Sequence, residues 1–159
     1  MLGFFKKDYE IIAPVSGKVL DLSEVPDQVF AQRLAGDGAA IDGTGNTFVA
    51  PADGELTLIF KTCHAFALTL SNGVELLVHI GIDTVNLQGE GFKALAKQGS
   101  QVKKGDPIVA IDRDFIKSKE YSLITPVLIT NPNIVSDIKC SIGQEVEAGK
   151  DKIFQYRIK

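Results

Sequence analysis

Apolar residues along the chain fall in short runs, EIIAPV, GKVL, GELTLIF, HAFALTL, VELLVHI, PIVAI, TPVLIT and KIFQYRI, broken at frequent intervals by Gly, Pro, Asn and Asp. Runs of this length between turn residues predict strands, so the chain reads as all-β. Two stretches look helical, Phe92 to Lys97 ahead of Gly99 and Asp112 to Lys119, each good for one or two turns. Strands so short and numerous must bury one face of each sheet against another. The expected architecture is therefore an antiparallel β sandwich or flattened barrel with only very short helices.

Two echoes run through the pattern. Ala13-Pro14 followed by Gly17 returns as Ala50-Pro51 followed by Gly54, and Gly99-x-x-Val102-x-x-Gly105 returns as Gly143-x-x-Val146-x-x-Gly149. A duplicated β motif explains both, and tight turns that merely feed strands leave the same trace. No linker or low-complexity tract divides the sequence, which predicts one domain over 1–159 with a short tail at 1–9.

The segment from Thr62 to Asp83 contains both histidines of the protein, His64 and His79. Asn72-Gly73 between two apolar runs predicts a two-residue type I′ hairpin loop. With Ser71 opposite Val74, the ladder pairs Phe66 with His79, His64 with Gly81 and Thr62 with Asp83. The two histidines then stand diagonally on one face, with β carbons roughly 7 Å apart. Alternation puts Phe60, Thr62, His64 and Phe66 on that face and turns Cys63 away. All of this depends on the turn, because a one-residue slip reverses every side chain.

Three chemistries use such a pair. A neutral imidazole attacks phosphorus without a separate base, which makes either ring a phosphoryl carrier. Both rings with Asp83 would give three ligands of an open tetrahedral zinc site. A Cys63–His64 nucleophile is disfavoured, since adjacent strand residues point to opposite faces.

Composition narrows the partners. The 159 residues are 45% hydrophobic and 23% charged, an ordinary globular balance. Seventeen basic residues against twenty acidic ones, with no basic run, argue against nucleic acid. Cys63 and Cys140 stand far apart and outside any CxxC pair, which suggests neither a disulfide framework nor a structural zinc site. The start, MLGFFKKDYE, is too short for a signal core or a span, so a cytoplasmic protein not embedded in a membrane is expected. Gly36-Asp37-Gly38 and Gly89-Glu90-Gly91 complete no nucleotide loop, and no cofactor is expected. The Gly-x-x-Val-x-x-Gly echoes are also seen in swinging-arm domains, but no lysine lies at the Asn72-Gly73 turn.

Read in order, IIAPVSGKV, VPDQVFAQRLAGDG, FVAPADG, TCHAF, GVELLVHIGIDTVNLQGEGF and TPVLITN closely resemble the glucose-class enzyme IIA of the phosphoenolpyruvate-dependent sugar phosphotransferase system. These motifs run along nearly everything from Glu10 to Lys159. The resemblance implies an antiparallel β sandwich with a shallow depression holding the two histidines. It implies that His79 accepts a phosphoryl group from the phosphocarrier protein HPr and passes it to a cysteine of enzyme IIB. By the same resemblance His64 helps hold the phosphoryl group, Thr62 orients His64, and Phe30, Phe60, Phe66 and Val85 ring the site. Asp27 and Asp83 are expected to steer basic surfaces of HPr. No intrinsic metal is implied, although the two rings leave room for weakly held zinc, and regulatory protein partners are compatible with the same face. The short tail suggests a free-standing carrier whose enzyme IIB is supplied by another polypeptide, and argues against a membrane-docking tail. Lysostaphin-type zinc hydrolases, the competing resemblance, use a His-x-His pair, whereas position 81 here is Gly.

Overall fold

The computed structural model describes residues 6–159. Its elements are β1 Tyr9–Ile12, β2 Gly17–Leu20, α1 Gln28–Ala31, β3 Asp37–Gly43, β4 Thr47–Val49, β5 Gly54–Ile59, β6 Ala65–Thr69, β7 Glu75–His79, β8 Phe92–Ala94, β9 Gln101–Val102, β10 Pro107–Ile111, α2 Arg113–Ser118, β11 Ile124–Ile129, β12 Val135–Cys140, β13 Glu145–Val146 and β14 Lys152–Ile158. The tail expected over 1–9 falls in part on residues 1–5, which lie outside the described residues, and Tyr9 already opens β1.

All strand pairs are antiparallel. A large sheet runs in the order β13-β2-β3-β11-β7-β6-β5-β9, and two small sheets, β1-β14-β12 and β4-β10-β8, pack over it. Alternation along the central strands sorts residues between its faces. Leu76, Val78, Val127 and Ile129 join Ile11, Phe48, Ile108 and Phe154 of the small sheets in the main core. Leu77 and Leu128 point the other way, into a smaller cluster with Leu22, Val25, Phe30 and Ile82. The all-β sandwich read from the apolar runs is the observed fold.

The echoes are real repeats. Gly17 pairs with Val146 and Gly54 with Val102. The two copies also cross, since Ile12 N–H donates to Pro51 O at 2.9 Å and Val49 N–H to Pro14 O at 2.8 Å. The axis relating them passes between β11 and β7 at the Val127–Val78 pair. Counting outward along both ladders, Leu128 opposite Gly38 takes the place of His79 opposite Ala65. In the first half, residues 21–36 carry α1 and cover the outer face of the sheet; in the second, the short link 60–64 leaves that face open. One half of the duplicated unit thus has room for a surface site.

Of the two expected helices, α2 forms, with Asp112 accepting from Phe115 N at 3.1 Å as its N-cap. The other does not. Residues Phe92–Ala94 form edge strand β8 on β10, because the partly buried Phe92 packs on the main core and tertiary packing outweighs a weak helical preference.

Candidate functional site

The hairpin carrying both histidines is one residue out of the expected register. Ala65, not Phe66, pairs with His79, and Phe66 pairs with Val78. The loop has three residues: Gly73 N–H donates to Leu70 O at 3.0 Å and Leu70 N–H to Val74 O at 2.9 Å. A type I′ turn needs positive φ at both central residues, but only Gly73 adopts it, with φ of 91°. Asn72 is held otherwise, its carboxamide donating to Tyr156 Oη at 2.9 Å and accepting from Val74 N at 3.1 Å.

That slip moves Phe66 to the opposite face from His79. Phe66, expected on the rim of the site, is fully buried in the main core. The same slip should have separated the histidines, and yet their ring centroids lie 5.1 Å apart, edge to face at 81°. Both chains leave the pleat here. Cys63 is left-handed with φ of 59° and Gly81 has φ of 79°, so the strand alternation ends at Ala65 and His79. His64 still shares the backbone ladder, accepting from Ile80 N–H at 2.7 Å, while its ring turns onto the His79 face.

Each ring is fixed by one hydrogen bond. His79 Nδ1 lies 2.7 Å from Gly81 O. A carbonyl can only accept, so Nδ1 carries the proton and, in the neutral ring, Nε2 holds the free lone pair. His64 Nδ1 lies 2.5 Å from Thr62 Oγ1, which places the expected orienting residue where it can set the His64 tautomer. His64 is buried, at 5% exposure, and His79 is half-buried.

The surroundings keep both rings neutral at pH 7. Burial first, and then the neighbouring His79, hold His64 down to about 4. Burial also lowers His79 below its usual value, while the bond to Gly81 O and the carboxylates of Asp27 and Asp83 pull in the opposite direction. Asp27 is the N-cap of α1, accepting from Val29 N at 2.9 Å and Phe30 N at 3.4 Å. That cap sets Phe30 against the His79 ring, with centroids 5.0 Å apart, but Phe30, expected on the exposed rim, is only 8% exposed because it packs into the smaller cluster beneath α1. Phe60 packs edge-on to His64 at 5.1 Å and remains 37% exposed. Val85, at 46% exposure, stands in the turn that follows Asp83. Sequence reasoning missed two contributors, the Gly81 carbonyl and α1. The Val-Pro-Asp stretch at 25–27 contained the capping signal for the helix.

Among the described residues, no three His, Cys, Asp or Glu side chains gather as a metal centre, so Asp83 does not complete a zinc site with the two rings. An open groove of about 570 Å³ is lined by Asp53, Leu70 and Lys103, among others, and by neither histidine. Among the described residues, no helix is long and apolar enough to cross a membrane.

A neutral imidazole with one nitrogen locked, a buried partner ring and exposed apolar neighbours suit a phosphoryl carrier better than a hydrolase. The comparisons agree. A family model described as phosphoenolpyruvate-dependent sugar phosphotransferase system, EIIA 1, matches residues 9–135. A glucose-specific EIIA component from Borreliella burgdorferi is 48% identical over 145 residues, covering 90% of this chain and 77% of that protein. A glucose-specific EIIBCA component from Corynebacterium glutamicum is 53% identical over 129 residues, 81% of this chain and 19% of that longer protein. The solved glucose permease IIA from Mycoplasma capricolum superposes with a TM-score of 0.89 at 37% identity, covering 97% of this chain and 99% of that one. The chain belongs to the EIIA family of the sugar phosphotransferase system, and it is a phosphoryl carrier of that system.

Proposed function

We propose that His79 is the phosphoryl acceptor and that Nε2 is the atom that bonds to phosphorus. The observation that carries this reading is the Nδ1–H bond to the Gly81 carbonyl, which leaves the lone pair on Nε2. In the first step that pair forms the N–P bond as the bond from phosphorus to HPr breaks, and the displaced pair leaves with HPr. The ring becomes cationic, and the Gly81 carbonyl stabilises the charge through the retained Nδ1–H. In the second step a cysteine thiolate of enzyme IIB takes the phosphoryl group and the N–P pair returns to Nε2. His79 moves no proton in either direction, so transfer depends on position and charge.

His64 supports the group and does not attack. With the Thr62 hydroxyl donating to His64 Nδ1, the ring proton sits on Nε2 and is available to a phosphoryl oxygen. Phe60 and Val85 form the exposed apolar rim on which HPr and enzyme IIB dock in turn, the buried Phe30 backs His79 beneath it, and Asp27 and Asp83 steer the partners' basic surfaces, mainly through the on-rate. The relative that joins A to B and C in one polypeptide favours enzyme IIB as the recipient. The carrier acts as one domain in the cytoplasm, in glucose-class sugar uptake.

The test is His79→Gln with phosphoenolpyruvate, enzyme I and HPr. The variant should melt like the wild type and gain no phosphoryl group by intact mass. Labelling at the wild-type rate would overturn the assignment.

A further inference from the structure

Behind the two rings lies a threonine that the proposed chemistry does not use. Thr84 has no solvent exposure. Its Oγ1–H donates to Ile80 O at 2.5 Å, while Ile80 N–H donates to His64 O at 2.7 Å. The peptide units of Ile80 therefore tie the backbone of His64 to the side chain of Thr84, one residue beyond His79. On the other side, Thr84 Cγ2 and Ser122 O each lie 2.7 Å from where a Cβ on Gly81 would stand, and Ile82 N–H donates to Ser122 O at 3.0 Å. Gly81, at φ of 79°, is clamped between them. Asp83, left-handed with φ of 59°, makes the reversal that brings Thr84 back over Ile80.

From this geometry we infer that Thr84 is a positioning residue of the phosphoryl site: through the Ile80 and Gly81 peptides, its hydroxyl keeps the Gly81 carbonyl aimed at His79 Nδ1. The inference rests on His79 acting through Nε2. The tautomer of the nucleophile is then set by a chain of contacts, Thr84 to Ile80 to Gly81 to His79. Removing the hydroxyl leaves the buried Ile80 carbonyl without this donor, and the turn must shift to find another. A turn that shifts lets the imidazole proton exchange between Nδ1 and Nε2, which places it on the attacking atom for part of the time.

Thr84→Val removes the hydroxyl and keeps the branched shape. In ¹⁵N-histidine-labelled wild-type protein, His79 should show a protonated Nδ1 and an unprotonated Nε2, assigned against His64→Gln. In Thr84→Val both nitrogens should move toward averaged shifts, and phosphoryl uptake from HPr should slow by about ten- to a hundredfold, the cost of a sub-ångström misplacement. Thr84→Ser, which restores the donor, should restore both shifts and rate. A folded Thr84→Val with wild-type nitrogen shifts overturns the inference, and a lowered melting temperature with unchanged shifts does so as well, by assigning a structural role alone. Should Thr84→Val not fold, Thr84→Ala, which also lacks the donor, is held to the same outcomes. The nitrogen shifts are read in unphosphorylated protein. They stand even if His79→Gln is still labelled, which would refute the acceptor assignment instead.

Discussion

Lowering the pH should unfold this protein earlier than its carboxylates require, and His64 is the reason. An unfolded imidazole titrates near 6.5, whereas burial and His79 hold His64 down to about 4. Above pH of about 6.5 neither state binds the proton and the stabilisation is complete. As the pH falls from there toward about 4, the unfolded chain takes up a proton that the folded site refuses, so stability is lost. At ~1.4 kcal/mol per pH unit the whole difference is about 3 kcal/mol, and about 2 kcal/mol of it is gone by pH ~5, before most carboxylates titrate. Against a total of roughly 5–15 kcal/mol that is readable by urea unfolding followed by circular dichroism. His79, also lowered by burial, acts in the same direction. His64→Gln removes the largest contribution and should flatten the profile between pH ~7 and ~5. Phosphorylation of His79 should flatten it too, since a phosphoryl dianion beside His64 favours the imidazolium. A His64→Gln profile as steep as that of the wild type would refute the reasoning.

Four further perturbations separate roles that lie close together. Phe60→Ser, at an exposed ring beside His64, should weaken HPr binding by about 1–2 kcal/mol with little change in melting. Phe66→Ala, in the main core, should cost the fold about 3–5 kcal/mol. A collapsed melting temperature for Phe60→Ser would remove it from the docking rim. Thr62→Val deletes the donor to His64 Nδ1 and with it about 1.5–3 kcal/mol of hydrogen bonding to the charged phosphoryl group, so single-turnover uptake should slow by about ten- to a hundredfold. An unchanged rate would mean that His64 needs no orienting partner. Gly81→Ala places a methyl 2.7 Å from Ser122 O at φ of 79° and should lower stability by about 1–3 kcal/mol; thermal melting at the wild-type temperature would contradict that clamp.

The sandwich was legible because its strands are short apolar runs with turn residues between them, and the duplication because Gly17 and Gly54 open equivalent strands in both copies. Helix α2 was legible through its Asp112 cap. Helix α1 was not, being a single turn whose cap hides in a Val-Pro-Asp stretch. The Asn72-Gly73 turn misled because Asn72 is committed to Tyr156, eighty-four positions away in sequence, and no local rule contains that contact. Phe66 was placed wrongly as a direct result. The histidine pair was expected to meet through strand alternation, and it meets because the chain breaks alternation at Cys63 and Gly81. A glycine among apolar residues gave a hint of the second break, and nothing in the residue pattern marked the first.

The central claim is that a phosphoryl group resides on Nε2 of His79. The most direct measurement phosphorylates the ¹⁵N-histidine-labelled wild type with phosphoenolpyruvate, enzyme I and HPr, then reads nitrogen–phosphorus coupling by NMR alongside intact mass. One phosphoryl group, acid-labile and base-stable, coupled to His79 Nε2 with Nδ1 still protonated toward Gly81, is the predicted result. Coupling at His79 Nδ1, coupling to either nitrogen of His64, or an unmodified mass would contradict the account.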